Sequence, residues 1–298
     1  LGVGIFNHKE HKEHREKTST RCCEASHLEI DLCALCVLCG ELIEVIDKPS
    51  KGKSNVNPET ADIESSTDAY AQRFAGPTGE WMLSRQETIT KTLLRHHCPG
   101  ATVLDVGGGH GQLAIPLGKS GFDVTVLGST PECAQRLQAA IDANQCRFTT
   151  GNVIALPFAD NSFDVAISFR LLTHCVQWPV LVTELCRVAR TDVVIDYPAT
   201  QSLNCIAPWL FDAKRKYETN TRFWRSFRHD EMIGTFAANG FELTRMKKQF
   251  FLPMVVHRML KCQPVSAAAE AVCRALMLTR LAGSPVIARF TARPATSS

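Results

Sequence analysis

The sequence predicts an α/β fold built on a doubly wound sheet, and three observations predict it. Short apolar runs alternate with amphipathic stretches from residue 81 onward, at the spacing of successive βα units. The first apolar run leads directly into a glycine-rich loop, Gly107-Gly-Gly-His-Gly111. The composition, 45% hydrophobic and 21% charged over 298 residues, is that of an ordinary globular protein and excludes wholly disordered, collagen-like and multi-span classes.

The first expected element is a helix over 81–98, with Trp81, Leu83, Ile89, Leu93 and Leu94 as its apolar stripe and Pro99-Gly100 as its stop. A strand over 101–106 enters the glycine loop, and a helix over 112–119 leaves it. Residues 123–127 form the second strand and 131–144 the second helix, with Pro131 at a favoured early position. Strands follow at 146–150 and 163–169, then a helix at 180–189 and a fifth strand at 192–197. After Pro198 the rhythm breaks into an aromatic and basic segment, read as a lid over about 199–228. A helix over 229–239 ends at Gly240. A strand over 241–252, a mainly helical stretch over 254–281 interrupted near Pro264, and a strand over 286–291 complete seven strands. Strands separated by helices in this way imply right-handed crossovers and a sheet covered on both faces.

Residues 1–64 read differently. The His-Lys-Glu repeats at 8–13 are a solvated, biased run with too little apolar surface to offset chain entropy. The triplet Cys33, Cys36 and Cys39 matches part of a cluster-binding spacing, but lacks the fourth cysteine and has no later C-x2-C pair to close a zinc site. No metal is expected. A short apolar helix or an over-extended reading of the start accounts for this stretch instead, so 1–64 is expected to be a low-complexity or disordered extension and 65–298 the folded domain. Thirteen cysteines, irregularly spaced outside the N-terminal stretch, suit a reducing, cytoplasmic setting, and no apolar run approaches the roughly 20 residues of a transmembrane helix.

The formal net charge of +3, from 33 Lys+Arg against 30 Asp+Glu, is too small to suggest nucleic-acid binding. Small molecules are the expected ligands. The loop Asp105-x-Gly107-x-Gly109-x-Gly111 lets a ligand approach the main chain without Cβ interference, beside free N–H groups at a helix start. It lacks both the dinucleotide G-x-G-x-x-G and the P-loop Gly-Lys-Ser/Thr, so NAD and ATP lose ground.

The runs Val103-Leu-Asp-Val-Gly-Gly-Gly-His-Gly111, Val124-Thr-Val-Leu-Gly-Ser-Thr-Pro-Glu132 and Gly151-Asn-Val-Ile-Ala-Leu-Pro-Phe-Ala-Asp-Asn-Ser-Phe-Asp164 resemble the class I S-adenosylmethionine-dependent methyltransferases, in their type 11, ubiquinone/menaquinone-biosynthesis-like branch. The resemblance covers about 95–198. It implies a Rossmann-like, mostly parallel seven-stranded sheet whose last two strands form an antiparallel edge, a helical lid after the fifth strand, and S-adenosylmethionine as cofactor. It also implies cofactor contacts at Asp105, Gly107, Gly109, Gly111, Ser129, Asn152, Val153 and Arg170. Two positions depart from the family. Gly128 stands where an acid binds the ribose, leaving Ser129 or Glu132 to substitute, and Asn152 stands where an Asp binds the adenine amine.

Methyl transfer from a sulfonium needs alignment more than a universal catalytic group. His174 and Asp196, beyond the carboxyl ends of the fourth and fifth strands, are the candidates for a base; a structural role competes for each. His110 is expected to line the cofactor site. The lid aromatics fit a packed core better than stacking on an acceptor, and the helical stretch over 254–281 fits a helix covering the sheet, with peripheral contact to a lipid surface as the alternative. The expected activity is methyl transfer to a small molecule, and a cofactor-binding or interaction protein on the same fold that has lost transfer is the alternative.

Overall fold

A computed structural model describes residues 59–203 and 224–294. Its centre is a seven-stranded sheet in the order β3-β2-β1-β4-β5-β7-β6. The strands are β1 Thr102–Val106, β2 Asp123–Gly128, β3 Arg147–Thr150, β4 Phe163–Ser168, β5 Ala189–Tyr197, β6 Phe241–Phe250 and β7 Ser284–Ala292. The first five pair in parallel, and β7 runs antiparallel between β5 and β6. The strand order therefore reverses between β1 and β4, which opens a crevice at their carboxyl ends, the usual place for a ligand in such sheets.

Strand alternation fixes what faces each layer. Leu104 and Val106 of β1, Ala166 of β4, and Val193 and Ile195 of β5 join one core cluster. It is closed by helices α6 (Trp178–Val188) and α7 (His229–Ala238). Val103, Val165, Ile167 and Val194 face the opposite cluster. Helices α3 (Gly76–Leu94) and α4 (Ala114–Lys119) cover it with Ile89, Leu93, Ala114 and Leu117. Asp105 shares the strand face of Val103, so a carboxylate is carried into this second layer.

Helix α3 starts five residues before the expected position, because Gly76 takes φ +79° and Pro77 supplies a favourable first turn. It ends at Leu94, where the chain turns to bring His96 and His97 against Asp192. The helix expected over 131–144 is a 3-10 turn, Pro131–Leu137, followed by the short α5 (Gln138–Asp142). Gly240, with φ +81°, terminates α7 as expected. The stretch over 254–281 splits into α8 (Met254–Leu260), α9 (Gln263–Ala275) and α10 (Leu278–Ala282), separated by left-handed Lys261 and Met277.

Two short helices precede α3: α1 (Asp62–Ser65) and α2 (Asp68–Ala71). Residues 59–64, on the extension side of the boundary expected near 64, are thus folded against the sheet. Asp62 is fully buried and bonded to Ser129. The cysteine triplet, and Trp209, Phe211, Tyr217 and Phe223 of the segment expected to be a lid, lie outside the described residues. At the end of that segment Phe227 is buried edge-on against Trp178, 5.2 Å between ring centroids, in a packing role.

Candidate cofactor site

The glycine loop follows β1 at the crevice. Gly107 and Gly111 take φ +77° and +71°, a region that favours glycine, and Gly107 N–H donates to the Leu127 carbonyl at 2.8 Å. Gly108 closes over Asp105 so tightly that a Cβ there would lie 2.1 Å from the carboxylate. Asp105 is fully buried, and neither of its oxygens has a hydrogen-bond partner. Burial pushes its carboxyl up to about 7.

Three further residues, two of them buried, place unpartnered polar atoms around the loop. His110 accepts from the Gln112 N–H through Nδ1, while its Nε2 has no partner. Burial, with the positive charge of Arg170 beside it, pushes its imidazole down to about 3, so it is neutral at physiological pH. Arg170, in a left-handed conformation just past β4, donates from Nη2 to Gln86 Oε1 at 2.8 Å and lies 4.1 Å over the Phe74 ring, leaving Nη1 without a partner. Gln86 Nε2 is likewise unpaired. Buried polar groups are nearly always satisfied, so this concentration of orphaned atoms beside a glycine loop fits a polar ligand.

Asp196 is buried at the end of β5 and accepts the Arg170 N–H at 2.6 Å. Burial raises its carboxyl to about 6 against the lowering effect of that bond and of the Arg170 charge. It fixes the loop that carries Arg170, a structural role. His174, half-buried in the 3-10 turn Leu172–His174, lines a groove with Glu59, Thr60, Ile63 and Val176. The structure therefore separates the two candidate bases: Asp196 lies beneath Arg170, and His174 opens on the groove beside the N-terminal segment.

At β2 the missing acid has a packing cause. A Cβ at Gly128 would sit 2.7 Å from Cys133 Cβ and 2.9 Å from the Phe148 ring, so no side chain fits without a shift. The carboxylate at this strand end comes from Asp62, which accepts from Ser129 N–H at 2.7 Å and from Ser129 Oγ at 2.5 Å. Ser66 lies against Gly109, where a Cβ would meet its Oγ at 2.3 Å. The close approach that the glycine loop permits is made here by the chain's own segment over 62–66. Asn152 spends its side-chain oxygen on the Ile154 N–H, 3.1 Å away, in a local turn, and Val153 is fully buried.

The run over 156–164 is a stapled turn. Arg187 donates to Glu184, Asp160 and the carbonyls of Leu156 and Phe158, while Glu184 accepts the Leu156 N–H. Asp164 accepts from both the N–H and the hydroxyl of Thr102 at 2.9 Å, locking the start of β1 to β4. Asp62, Ser66, Phe74 and Gln86 were not among the expected site residues. Gln86 had a signal: it is a polar residue at a core position, between Met82 and Ile89 on the buried side of α3.

Residues 104–195 match a methyltransferase domain family. An uncharacterized protein of Mycobacterium tuberculosis is 38% identical over 94 residues, 31% of this chain and 34% of that protein. The ubiquinone/menaquinone biosynthesis C-methyltransferase UbiE of Roseobacter denitrificans is 44% identical over 77 residues, 24% of this chain and 31% of that enzyme. The chain thus spans about a third of the length of these curated relatives. Among solved structures, magnesium protoporphyrin IX methyltransferase from Synechocystis PCC 6803 with bound SAH aligns with a TM-score of 0.53 at 15% identity, over 77% of this chain and 97% of that one. A Haloferax volcanii putative methyltransferase, solved with the Trm112 activator, aligns with a TM-score of 0.55 at 18% identity, over 79% and 99%. Identities this low speak for the fold.

The sheet order, with the loop at its switch point, is the doubly wound fold that these solved methyltransferases share, and the matched methyltransferase domain lies within it over 104–195.

Proposed function

We propose that this chain is an S-adenosylmethionine-dependent methyltransferase acting on a small-molecule acceptor. The observation that carries the reading is the set of buried, unpartnered polar atoms around the glycine loop: both oxygens of Asp105, Nη1 of Arg170 and Nε2 of His110. The cofactor presents an ammonium and a carboxylate, which complement Asp105 and Arg170, and when bound it supplies a methyl group on a sulfonium. Gly107, Gly109 and Gly111 give the ligand access to the main chain. Ser129, Asn152 and Val153 form the wall at the adenosine end, where the Asn152 oxygen is already engaged and its amide remains as a donor. Arg170 is held in place by Asp196 and Gln86. In-line transfer then depends on alignment. His174, in the groove beside 59–64, is the residue placed to take a proton from an acceptor, whereas Asp196 acts by positioning Arg170.

One observation favours a second reading, binding without transfer: Gly128 has no room for an acid, and 62–66 covers the loop. Titration of the full chain with S-adenosylhomocysteine by calorimetry, with NAD and ATP as controls, tests the cofactor. Selective micromolar binding is expected; its absence up to millimolar ligand sinks the reading. Transfer of labelled methyl from S-adenosylmethionine to a panel of small acceptors then separates the enzyme from the binder.

A further inference from the structure

The three helices between β6 and β7 are built inside out. Along α9 the exposed positions are Pro264, Val265, Ala268, Ala271, Val272 and Ala275, continuing to Leu276. They recur at helical spacing and include no polar residue. The fully buried positions are Ser266 and Glu270. The Glu270 carboxylate accepts from the N–H groups of Phe251 and Leu252, at 3.0 and 2.9 Å, and lies 3.2 Å from His257 Nε2. Polar contacts seat this helix, and its apolar stripe is left facing out, the reverse of an ordinary surface helix. Such a helix does not do what the sequence led us to expect, which was to cover the sheet with its apolar side.

The neighbouring helices continue the pattern. Met259 and Leu260 of α8 are exposed, as are Met277 and, on α10, Leu281, with Met259 at 74% and Leu281 at 71%. Seven of the twelve large apolar side chains exposed among the described residues fall between 259 and 281. Monomeric proteins rarely concentrate exposed apolar surface without a partner for it.

Charge selects the partner. From 254 to 282 the chain carries Arg258, Lys261, Arg274 and Arg280 against the single acid Glu270, which is buried. Lys261 and Arg280 are exposed. A second copy docking face to face would set these cations against themselves, since a two-fold interface pairs a patch with its own equivalent. An anionic lipid surface satisfies both features, taking the apolar stripe at the headgroup boundary and the cations at its phosphates. We propose that α8, α9 and α10 form a docking surface for an anionic membrane, on which the protein lies peripherally. No described helix is long and apolar enough to cross a bilayer. The proposal is independent of the cofactor assignment.

Flotation of the full chain with vesicles tests it, using phosphatidylcholine alone and phosphatidylcholine containing phosphatidylglycerol. The chain is expected to float with the anionic vesicles and remain soluble with the neutral ones. The pair Val272→Asp and Leu276→Asp should abolish flotation. Lys261→Glu with Arg280→Glu should weaken it by about tenfold or more and reduce its salt sensitivity. All four positions are exposed, so melting temperature and S-adenosylhomocysteine affinity should stay at wild-type values. Wild-type protein that ignores anionic vesicles overturns the proposal, as do variants that float like wild type. A dimer detected by light scattering and dissolved by Val272→Asp with Leu276→Asp would overturn it in favour of self-association.

Discussion

Two aspartates on the same face of the sheet, at opposite ends, are treated in opposite ways. Asp192, near the start of β5, is saturated: His96 and His97 approach Oδ2 at 2.8 and 2.7 Å, Thr291 donates to Oδ1 at 2.6 Å, and Arg289 lies 3.8 Å away. Burial opposes its charge, but the bonds from His97, Thr291 and His96 and the charge of Arg289 hold its carboxyl below the usual range. This His-His-Asp group also has the composition of a cation site, yet the Arg289 guanidinium already supplies the positive charge, donating to His96 at 2.8 Å. Asp105, at the end of β1, is equally buried and has no partner. The difference teaches where this fold keeps its polar capacity: the amino edge of the sheet spends it on holding strands together, and at the carboxyl edge Asp105 leaves it unspent.

The comparison is broken most severely at the saturated end. Asp192→Ala leaves two imidazoles and a guanidinium without their shared acceptor. It should cost about 3–5 kcal/mol in urea unfolding, while any cofactor affinity measured on the remaining folded protein stays near wild type. At the other end Gly109→Val inserts atoms where a Cβ already meets Ser66 Oγ and the Cys133 carbonyl. Calorimetry should show S-adenosylhomocysteine affinity falling by at least ~100-fold, about 2.7 kcal/mol.

A pH series sharpens the contrast. Asp105 has its carboxyl raised to about 7, so the folded state binds its proton more tightly than the unfolded chain. The resulting stability is fully present below about pH 4, the unfolded value, and is lost as pH rises to about 7, with a slope approaching 1.4 kcal/mol per unit. Asp196 contributes in the same direction up to about 6. Asp192, with its carboxyl lowered, has the opposite sign: its contribution is present at neutral pH and lost on acidification. Asp105→Asn should therefore flatten the decline in stability between pH 5 and 7, measured by denaturant unfolding, and leave the acid limb unchanged. A wild-type slope that survives the substitution would count against the orphaned carboxylate.

The smallest expected effect concerns the segment lying on the loop. Asp62→Ala removes the bonds that hold residues 62–66 over Gly107 and Gly109. It should tighten S-adenosylhomocysteine binding by roughly threefold, because less of the protein sits in a covered state. Weaker binding in that variant would mean that Asp62 itself contacts the ligand.

Much of the fold was legible because its signals are local. The runs at 101–106, 123–127 and 163–169 became β1, β2 and β4 within a residue of their expected ends, since a buried parallel strand is a short apolar run between turn residues. The glycine loop was legible for the same reason: Gly107 and Gly111 announce positive φ through residue type alone. Helix limits were less so. The end of α3 depends on His97 meeting a carboxylate 95 positions away. The site was legible as a loop and a set of strand ends, but not as a cluster, because Asp62 with Ser129 and Arg170 with Gln86 are partnerships across 67 and 84 positions.

By itself, then, the sequence determined the order of strands and helices, the glycine loop and the methyltransferase-like segment over 104–195, each written in contiguous residues whose backbone preferences and apolar spacing act over a few positions. Only the tertiary structure decided which carboxylates are satisfied and which are held unpaired, why Gly128 admits no side chain, and that α9 turns its apolar stripe outward around a buried Glu270. The physical reason is the same in each case: burial and hydrogen bonding are properties of what packs against a residue, and in this protein the deciding neighbours lie far away along the chain.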